Sequence, residues 1–141
     1  MEKQSIKVTI LADSIERIGN NRITTWQLTY PRFIHSELMT HRILSKNSAS
    51  SRAIPFNKMV EQVENDPFIP IAWQKKHTGM QGYEYIIDEE LINQCRLNWL
   101  GAKDKAIQFA KDANYNLQVT KQLCNRLLEP FMWHTIILTG T

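Results

Sequence analysis

The chain has 141 residues and a formal net charge of +3, and 43% of its residues are hydrophobic. This length predicts one domain over residues 1–141, and the apolar fraction is enough for one core. The charge excess is too small to indicate nucleic acid binding, so no nucleic acid partner is expected. No apolar run is long enough to cross a membrane, and the N-terminus lacks a signal peptide pattern. Cys95 and Cys124 lack metal-ligand spacing, which predicts no metal site and two reduced, buried thiols in a cytoplasmic protein.

The chain begins with the pattern of a β-hairpin. Ser5–Leu11 alternates apolar and polar residues, which is typical of a half-buried strand. The polar segment 13–21 ends in Gly19-Asn20-Asn21, which is a turn signal. Residues 22–30 are rich in threonine and aromatic side chains and predict the second strand.

A helix is predicted to follow the hairpin, from Pro31 to about Ser45. Proline suits the first helical turn, and Ile34 and Leu38 form an apolar row at i, i+4 spacing. Glu37 and His41 have the same spacing and form a polar row beside it. We therefore expect a buried face and a functional polar face on one helix.

The second half of the chain alternates helical patterns with loops and closes on a strand. The predicted elements are a loop over 47–53, a helix from Pro55 to about Asn65, a long loop over 66–82, helices over 88–114 and 117–128, and a buried strand over 131–139. Long ordered loops are often functional. Within this one, Trp73, Lys75, Lys76 and His77 form either a ligand surface or a solvated basic loop. The whole pattern predicts an α+β fold in which antiparallel strands pack with a helical bundle.

Histidine and tryptophan residues outside these loops are expected to serve packing. His134 lies in the closing strand and is predicted to be a packed core residue, whereas His35 is predicted to lie at the surface. Trp26, Trp99 and Trp133 are most simply core aromatics.

The segment from His41 to Arg52 carries the strongest chemical signal. Its twelve residues hold two arginines, a lysine, a histidine, an asparagine and four serines, and no acidic residue. Such a set of donors and positive charges favours an anionic ligand, and hydroxyls with paired arginines suit phosphate best. From the residues alone two plainer interpretations stay open: Ser48–Ser51 as a flexible linker, and His41 as a surface histidine paired with Glu37.

The pattern His-Arg-x-x-Ser-x-Asn-x-x-Ser-x-Arg, at positions 41–52, resembles the signature of the flavin-dependent thymidylate synthases. The family motif reads Arg-His-Arg-x-x-Ser-x-Asn-Glu-x-Ser-x-Arg, and the chain matches six of its eight fixed positions. It departs at Thr40, which replaces the first arginine, and at Ser48, which replaces the glutamate.

The flanks of the motif agree with the same family. A strand rich in threonine and aromatic residues leads through a proline into the motif, as it does in the family. The segment Asn125-Arg126-Leu-Leu-Glu-Pro130 resembles the family's Arg-x-x-Leu-Pro, with Glu129 in place of leucine. The resemblance covers residues 22–54 closely and residues 120–141 loosely.

The resemblance implies an enzyme that methylates dUMP to dTMP. In this family the methylene carbon comes from 5,10-methylenetetrahydrofolate, reduced FAD supplies the hydride, and NADPH reduces the flavin; no cysteine nucleophile is needed. The family has the fold of the thymidylate synthase-complementing proteins and forms homotetramers whose active sites are shared between subunits. The chain is therefore expected to oligomerise, and no single catalytic residue is assigned.

The resemblance also implies which residues bind ligands. His41, Arg42 and Asn47 match positions that contact FAD. The positions that match the nucleotide site are Glu37, Ser50, Ser51, Arg52 and Arg126, with Glu37 in the place of a family glutamine. Arg126 fits equally well as a plain charge at a helix C-terminus, where the helix dipole favours cations.

Two family segments have no counterpart in this chain. One is Gly-His-x-Thr/Ser-Pro-Phe-Glu-His before the motif helix. The other is a tail after the last strand that carries residues for FAD and for the uracil ring. We expect a fragment or truncated form of a longer protein, with little or no synthase turnover.

Two other functions stay open. The first keeps the fold and changes the substrate, with methylation or hydroxymethylation of a different pyrimidine nucleotide; the departures at Thr40 and Ser48 favour it. The second is a non-catalytic nucleotide- or RNA-binding module that uses the same basic loop. Flavin absorbance in the purified protein would favour an enzyme, and strong loss of oligonucleotide affinity with rising salt would favour the module.

Overall fold

The computed structural model describes residues 3–50 and 52–141. Its strands and helices are β1 (Lys7–Ile15), β2 (Arg22–Pro31), α1 (His35–Met39), β3 (Ser45–Ser48), α2 (Phe56–Asn65), α3 (Glu89–Tyr115), α4 (Lys121–Leu128) and β4 (Trp133–Gly140). Short 3₁₀ turns, Arg32–Ile34 and Glu129–Phe131, precede α1 and β4. This architecture confirms the predicted α+β class.

The strands form one antiparallel sheet in the order β1-β2-β4-β3. The last strand, β4, therefore lies inside the sheet, with Leu138 opposite Trp26 of β2 and Ile137 opposite Asn47 of β3. This order brings the motif segment beside the closing strand, although the two are far apart in sequence.

The two faces of the sheet differ in chemistry. On one face Tyr30, Ile136 and Leu138 are buried, and Leu38 and Leu44 pack against them. The opposite face is lined with threonines, of which Thr25 and Thr139 share a hydrogen bond of 2.9 Å, as do Thr29 and Thr135. Cross-strand pairs of this kind stabilise neighbouring strands.

A larger core lies where α2, α3 and α4 meet the segment that leads into β4. Its centre is fully buried and holds Met59, Val63, Ala110 and Leu128. Cys124 is buried in the same cluster and Cys95 is half-buried; both are free thiols. Deep burial of these side chains stabilises the helical layer, at about 1.5–3 kcal/mol for each large aliphatic group.

The hairpin prediction is confirmed, and its turn is made by Gly19 and Asn20, which both have positive φ. Two details are wrong. β1 runs on to Ile15 instead of ending at Leu11. The strand is also exposed, not half-buried: Val8 and Ile10 keep 64% and 59% of their surface exposed. The reason is that β1 is an outer strand, and the apolar cluster on its face is built from β2, β4, α1 and the turn after α1.

The predicted helix from Pro31 to Ser45 is wrong. Only α1 is α-helical there, and it stops at Met39, where Thr40 Oγ1 donates 2.7 Å to the carbonyl oxygen of Glu37. The chain then turns and enters β3, whose pairing with β4 replaces helical hydrogen bonds. Long-range pairing has overridden local helical periodicity, so Glu37 and His41 do not form a polar row on one helix.

The later elements follow the predictions closely. Met59, Val60 and Val63 of α2 are buried as predicted, and the side chain of Asp88 caps α3 by accepting 2.9 Å from the amide of Leu91. Strand β4 buries alternate residues rather than its whole length. The last helix starts later than predicted, at Lys121 instead of residue 117, because Gln118 has a left-handed φ of 54° that interrupts a helix. None of the helices in the described part of the chain is both long and apolar enough to span a membrane.

Candidate functional site

The motif segment is a turn, a short strand and a loop. Lys46 closes the turn, because its ammonium group donates to the carbonyl oxygen of His41 and, at 3.0 Å, to that of Leu44. Leu44 docks tightly onto β4 beside Gly140, where a methyl group would overlap the leucine side chain. The turn is therefore anchored to the sheet.

The turn presents the two residues predicted to contact the flavin. The side chains of His41 and Arg42 are exposed, and they line an open groove of about 520 Å³ formed by residues 40–44. Ile43 is 88% exposed in the same groove. Two cationic or polar groups beside an apolar side chain form a surface suited to a ligand that is partly anionic and partly aromatic.

The strand carries the remaining cofactor candidate. Asn47 of β3 pairs with Ile137 and is exposed, on the face of the sheet that carries the threonines. Ser48 pairs with Ile136 and therefore points towards the opposite, apolar face. β3 has four residues and rises about 3.3 Å per residue, so the turn before it and the loop after it lie roughly 13 Å apart.

The loop after β3 contacts helix α4. Arg52 donates from Nε to Gln122 Oε1 at 2.8 Å, and its amide donates to Ser50 Oγ at 3.3 Å. Gln122 and Arg126 are four residues apart on α4, so they lie on the same face of that helix. The structure thereby brings Arg52 and Arg126 to one side of α4. Ser51 lies outside the described residues.

Glu37 is the predicted site residue that joins the others least. It is exposed on α1, and its carboxylate accepts a hydrogen bond of 2.9 Å from Ser36 Oγ. Since its carboxylate is engaged locally with Ser36, it does not pair with His41.

A polar cluster beside the motif loop was missed by sequence reasoning. Arg32 Nη1 lies 2.7 Å from Nε2 of His134, and its Nη2 lies 3.8 Å from a carboxylate oxygen of Glu129. The Tyr30 hydroxyl lies 2.6 Å from Nδ1 of His35, and the two imidazole rings are 4.7 Å apart in a T-shaped arrangement. His134 is buried as predicted, with 5% exposure, but His35 is half-buried and the surface prediction for it is wrong.

The protonation of this cluster follows from its burial and charge. Burial is the main cause that lowers the pKa of His134 to about 4, and the charges of Arg32 and His35 add to it. Burial also lowers the pKa of His35 and raises that of the Tyr30 phenol. At neutral pH both imidazoles and the phenol are therefore uncharged. Since an arginine only donates, Nε2 of His134 is an acceptor and its ring proton sits on Nδ1.

A small cavity connects the cluster to the motif loop. It measures about 10 Å³, close to the room of one water molecule, and its walls include Arg32, Ala49, Asn125, Glu129 and His134. In the sequence, Arg32 and Glu129 each adjoin a proline, but no local signal predicts that they come together with His134. The register of the sheet, which sets Pro31 opposite Trp133, is what brings them together.

The long loop after α2 folds back on itself as a narrow ribbon. The amide of Ile86 donates 2.8 Å to the carbonyl oxygen of Trp73, and the amide of Lys75 donates 2.9 Å to that of Glu84. Trp73 packs edge-on against Trp99, with 6.2 Å between the ring centroids, and Lys75 forms an ion pair with Glu84. These contacts hold the loop in an ordered conformation. Over residues 3–50 and 52–141, no three His, Cys, Asp or Glu side chains come together in a way that could hold a metal ion.

Comparison with known proteins identifies structures that share this fold. Neither a protein-family model nor a curated protein matches the chain. The UMP/dUMP methylase PolB from Streptomyces cacaoi, bound with 5-Br UMP, has a TM-score of 0.73 at 16% identity, over 99% of this chain and 73% of that chain. The same methylase bound with 5-Br dUMP has a TM-score of 0.72 at 12% identity, over 98% of this chain and 74% of that chain.

A weaker likeness is to thymidylate synthase X from Helicobacter pylori, with FAD and dUMP. It has a TM-score of 0.43 at 15% identity, over 84% of this chain and 52% of that chain. The likeness to PolB establishes that the chain shares the α+β fold of that methylase.

Proposed function

We propose that the chain is a pyrimidine nucleotide methylase that converts dUMP to dTMP with FAD, NADPH and 5,10-methylenetetrahydrofolate. The observation that carries the proposal is the approach of Arg52 to the face of α4 that holds Arg126. The family resemblance implies that both arginines bind the nucleotide, Arg52 through the motif and Arg126 through the segment before Pro130. The hydrogen bond from Arg52 to Gln122, four residues before Arg126 on α4, supports a common site.

The nucleotide end of the site is built around Arg52. Its Nε is held by Gln122, so the guanidinium is oriented while its two terminal nitrogens remain available for two parallel hydrogen bonds to phosphate oxygens. Arg126 supplies a second positive charge, and Ser50 supplies a hydroxyl. Ser51 completes this set of donors, which suits the dianionic phosphate of a nucleoside monophosphate. Glu37 is acidic and is therefore proposed near the nucleotide but not at its phosphate.

The cofactor end of the site is the groove at the turn. His41 and Arg42 would neutralise the FAD pyrophosphate, Ile43 would cover part of an apolar ring, and Asn47 would offer amide hydrogen bonds. The donor set of the groove therefore fits FAD. When bound, the flavin and the folate would supply the hydride and the one-carbon unit.

The contribution of the chain would be orientation. A nucleotide held by the loop and a cofactor held by the turn would both lie along β3, at its opposite ends. Fixing two reactants on one rigid strand lowers the entropic cost of bringing them together. No side chain is assigned to the chemical step.

Exposed apolar side chains support assembly with further copies of the chain. On β1 these are Val8, Ile10 and Ile15, and on α3 they include Leu91 and Leu97. Apolar side chains that recur along an outer strand and a long helix are typical of surfaces that become buried on association. We place these elements at the interfaces of a homotetramer with shared active sites.

A second candidate substrate is UMP. PolB, which shares this fold with a TM-score above 0.7, is a UMP/dUMP methylase, and this supports a wider choice of pyrimidine nucleotide than dUMP alone. The 2′-hydroxyl is the only chemical difference between the two nucleotides, so a comparison of their affinities decides between them.

The test combines a spectrum with a titration. The purified chain should carry flavin absorbance and should bind dUMP or UMP in a calorimetric titration. Arg52→Ala should weaken nucleotide binding by about 1–3 kcal/mol, the usual scale for losing a charge-assisted hydrogen bond. Arg17→Ala, which changes an exposed arginine near the hairpin turn, is the matched control and should leave binding unchanged. A colourless protein that binds neither nucleotide would refute the proposal.

A further inference from the structure

The polar cluster around Arg32 ties together five separate parts of the fold. Tyr30 ends β2, Arg32 lies in the first 3₁₀ turn, His35 begins α1, Glu129 follows α4, and His134 lies in β4. The amide of Arg32 also donates 2.8 Å to the carbonyl oxygen of Met132. Arg32 is thus fixed at both its backbone and its side chain, at the point where the chain leaves the sheet for the motif.

The guanidinium of Arg32 lies between the two halves of the proposed nucleotide site. It borders the small cavity whose walls include Ala49, next to Ser50 of the motif loop, and Glu129, three residues after Arg126. Arg32 therefore shares one cavity with residues that adjoin both the motif loop and the end of α4.

Charge explains why this contact is more than packing. Glu129 sits at the C-terminal end of α4, where the helix dipole disfavours a carboxylate. The positive charge of Arg32, whose side chain is only 17% exposed, offsets that cost at 3.8 Å. His134 holds the guanidinium in place from the other side, and it can do so only as a neutral acceptor.

We infer that Arg32 and His134 are positioning residues for the nucleotide site, holding the loop with Ser50 and Arg52 in register with Arg126. The inference rests on the proposed function for its ligand. The acceptor atom matters, since Arg32 approaches Nε2 at 2.7 Å. In His134→Gln the longer side chain places its amide oxygen where Nε2 lies, within reach of Arg32. In His134→Asn the shorter side chain reaches only the position of Nδ1.

The experiment measures dUMP affinity of the full chain by calorimetry. Arg32→Met and His134→Asn should weaken binding about tenfold, the effect of one lost charge-assisted hydrogen bond. His134→Gln should restore affinity to within about twofold of the original, a rescue that a general packing role would not give. Arg17→Met is the control for losing an exposed arginine and should bind normally. Equal affinities for His134→Asn and His134→Gln would overturn the inference.

A second readout needs no ligand and separates this inference from the proposed function. The amide of Ala53 donates 3.0 Å to the carbonyl oxygen of Ser50, and the amide of Glu16 donates 2.8 Å to that of Asn21 in the distant hairpin. Arg32→Met and His134→Asn should speed hydrogen exchange at Ala53 and leave Glu16 unchanged, with rescue in His134→Gln. If the original chain does not bind dUMP but this exchange pattern appears, the nucleotide assignment fails and the positioning role stands. Unchanged exchange at Ala53 would overturn the positioning role itself.

Discussion

Acidification should destabilise the protein through His134. The pKa of this histidine is lowered from the ordinary value of 6.5 to about 4 in the folded chain, mainly by burial. The unfolded chain therefore binds a proton at pH values where the folded chain does not. The stability contributed by neutral His134 is complete above about pH 6.5 and is lost progressively as the pH falls towards 4.

The size of the effect follows from that difference. One pKa unit corresponds to about 1.4 kcal/mol, so lowering the pH from about 7.5 to about 4.5 should lower the free energy of unfolding by about 2.5 kcal/mol through His134 alone. The assay is urea unfolding followed by tryptophan fluorescence at both pH values. His134→Gln keeps an acceptor for Arg32 but cannot titrate, so its loss of stability over this range should be smaller by that amount. Equal losses in the two proteins would refute the assignment of the acid sensitivity to His134.

Three further predictions concern stability and local charge. Leu128→Ala removes a fully buried side chain from the helical core and should lower the free energy of unfolding by about 2–5 kcal/mol, measured by urea titration; a loss below about 1 kcal/mol would contradict the core assignment. Asp88→Ala removes the cap of α3 and should lower the free energy of unfolding by about 1 kcal/mol. Asp88→Asn should be nearly as stable as the original protein, because asparagine also caps helices. Equal stabilities of the alanine variant and the original would count against the cap. The hydrogen bond from Arg22, followed by that from Thr24, lowers the pKa of Asp13 to about 2, so NMR titration should show a carboxyl that stays ionised in mild acid, and Arg22→Ala should return it towards its usual range. An unchanged Asp13 titration in that variant would show that Arg22 is not the cause.

The elements with a strong local signal were predictable from the sequence. The cap at Asp88, the apolar spacing within 88–114 and the proline before α2 are local features, and α2 and α3 each begin within one residue of the expected place. The hairpin is equally local, since its turn requires the positive φ that Gly19 and Asn20 adopt.

The errors concern interactions between distant parts of the chain. Ser45–Ser48 has weak strand propensity, and it becomes β3 because β4 pairs with it. Exposure of β1 depends on where the other elements pack, which alternation alone does not reveal. The predicted helix through His41 fails for the same reason.

In the candidate site, too, local features were predictable and contacts between distant residues were not. The chemical character of His41, Arg42, Ser50 and Arg52 was evident from their pattern, and the roles predicted for them stay predictions. The approach of Arg52 to α4 depends on tertiary packing. The contact between Arg32 and His134 depends on the register of β2 and β4, so the sequence predicted the burial of His134 but not its partner.

The most direct test of a shared phosphate site is a double-mutant cycle on dUMP affinity with Arg52→Ala, Arg126→Ala and both together. If the two guanidinium groups bind the same phosphate, the combined loss should differ from the sum of the single losses by at least about 0.5 kcal/mol. Two losses that simply add, or a chain whose dUMP affinity ignores both changes, would contradict the account.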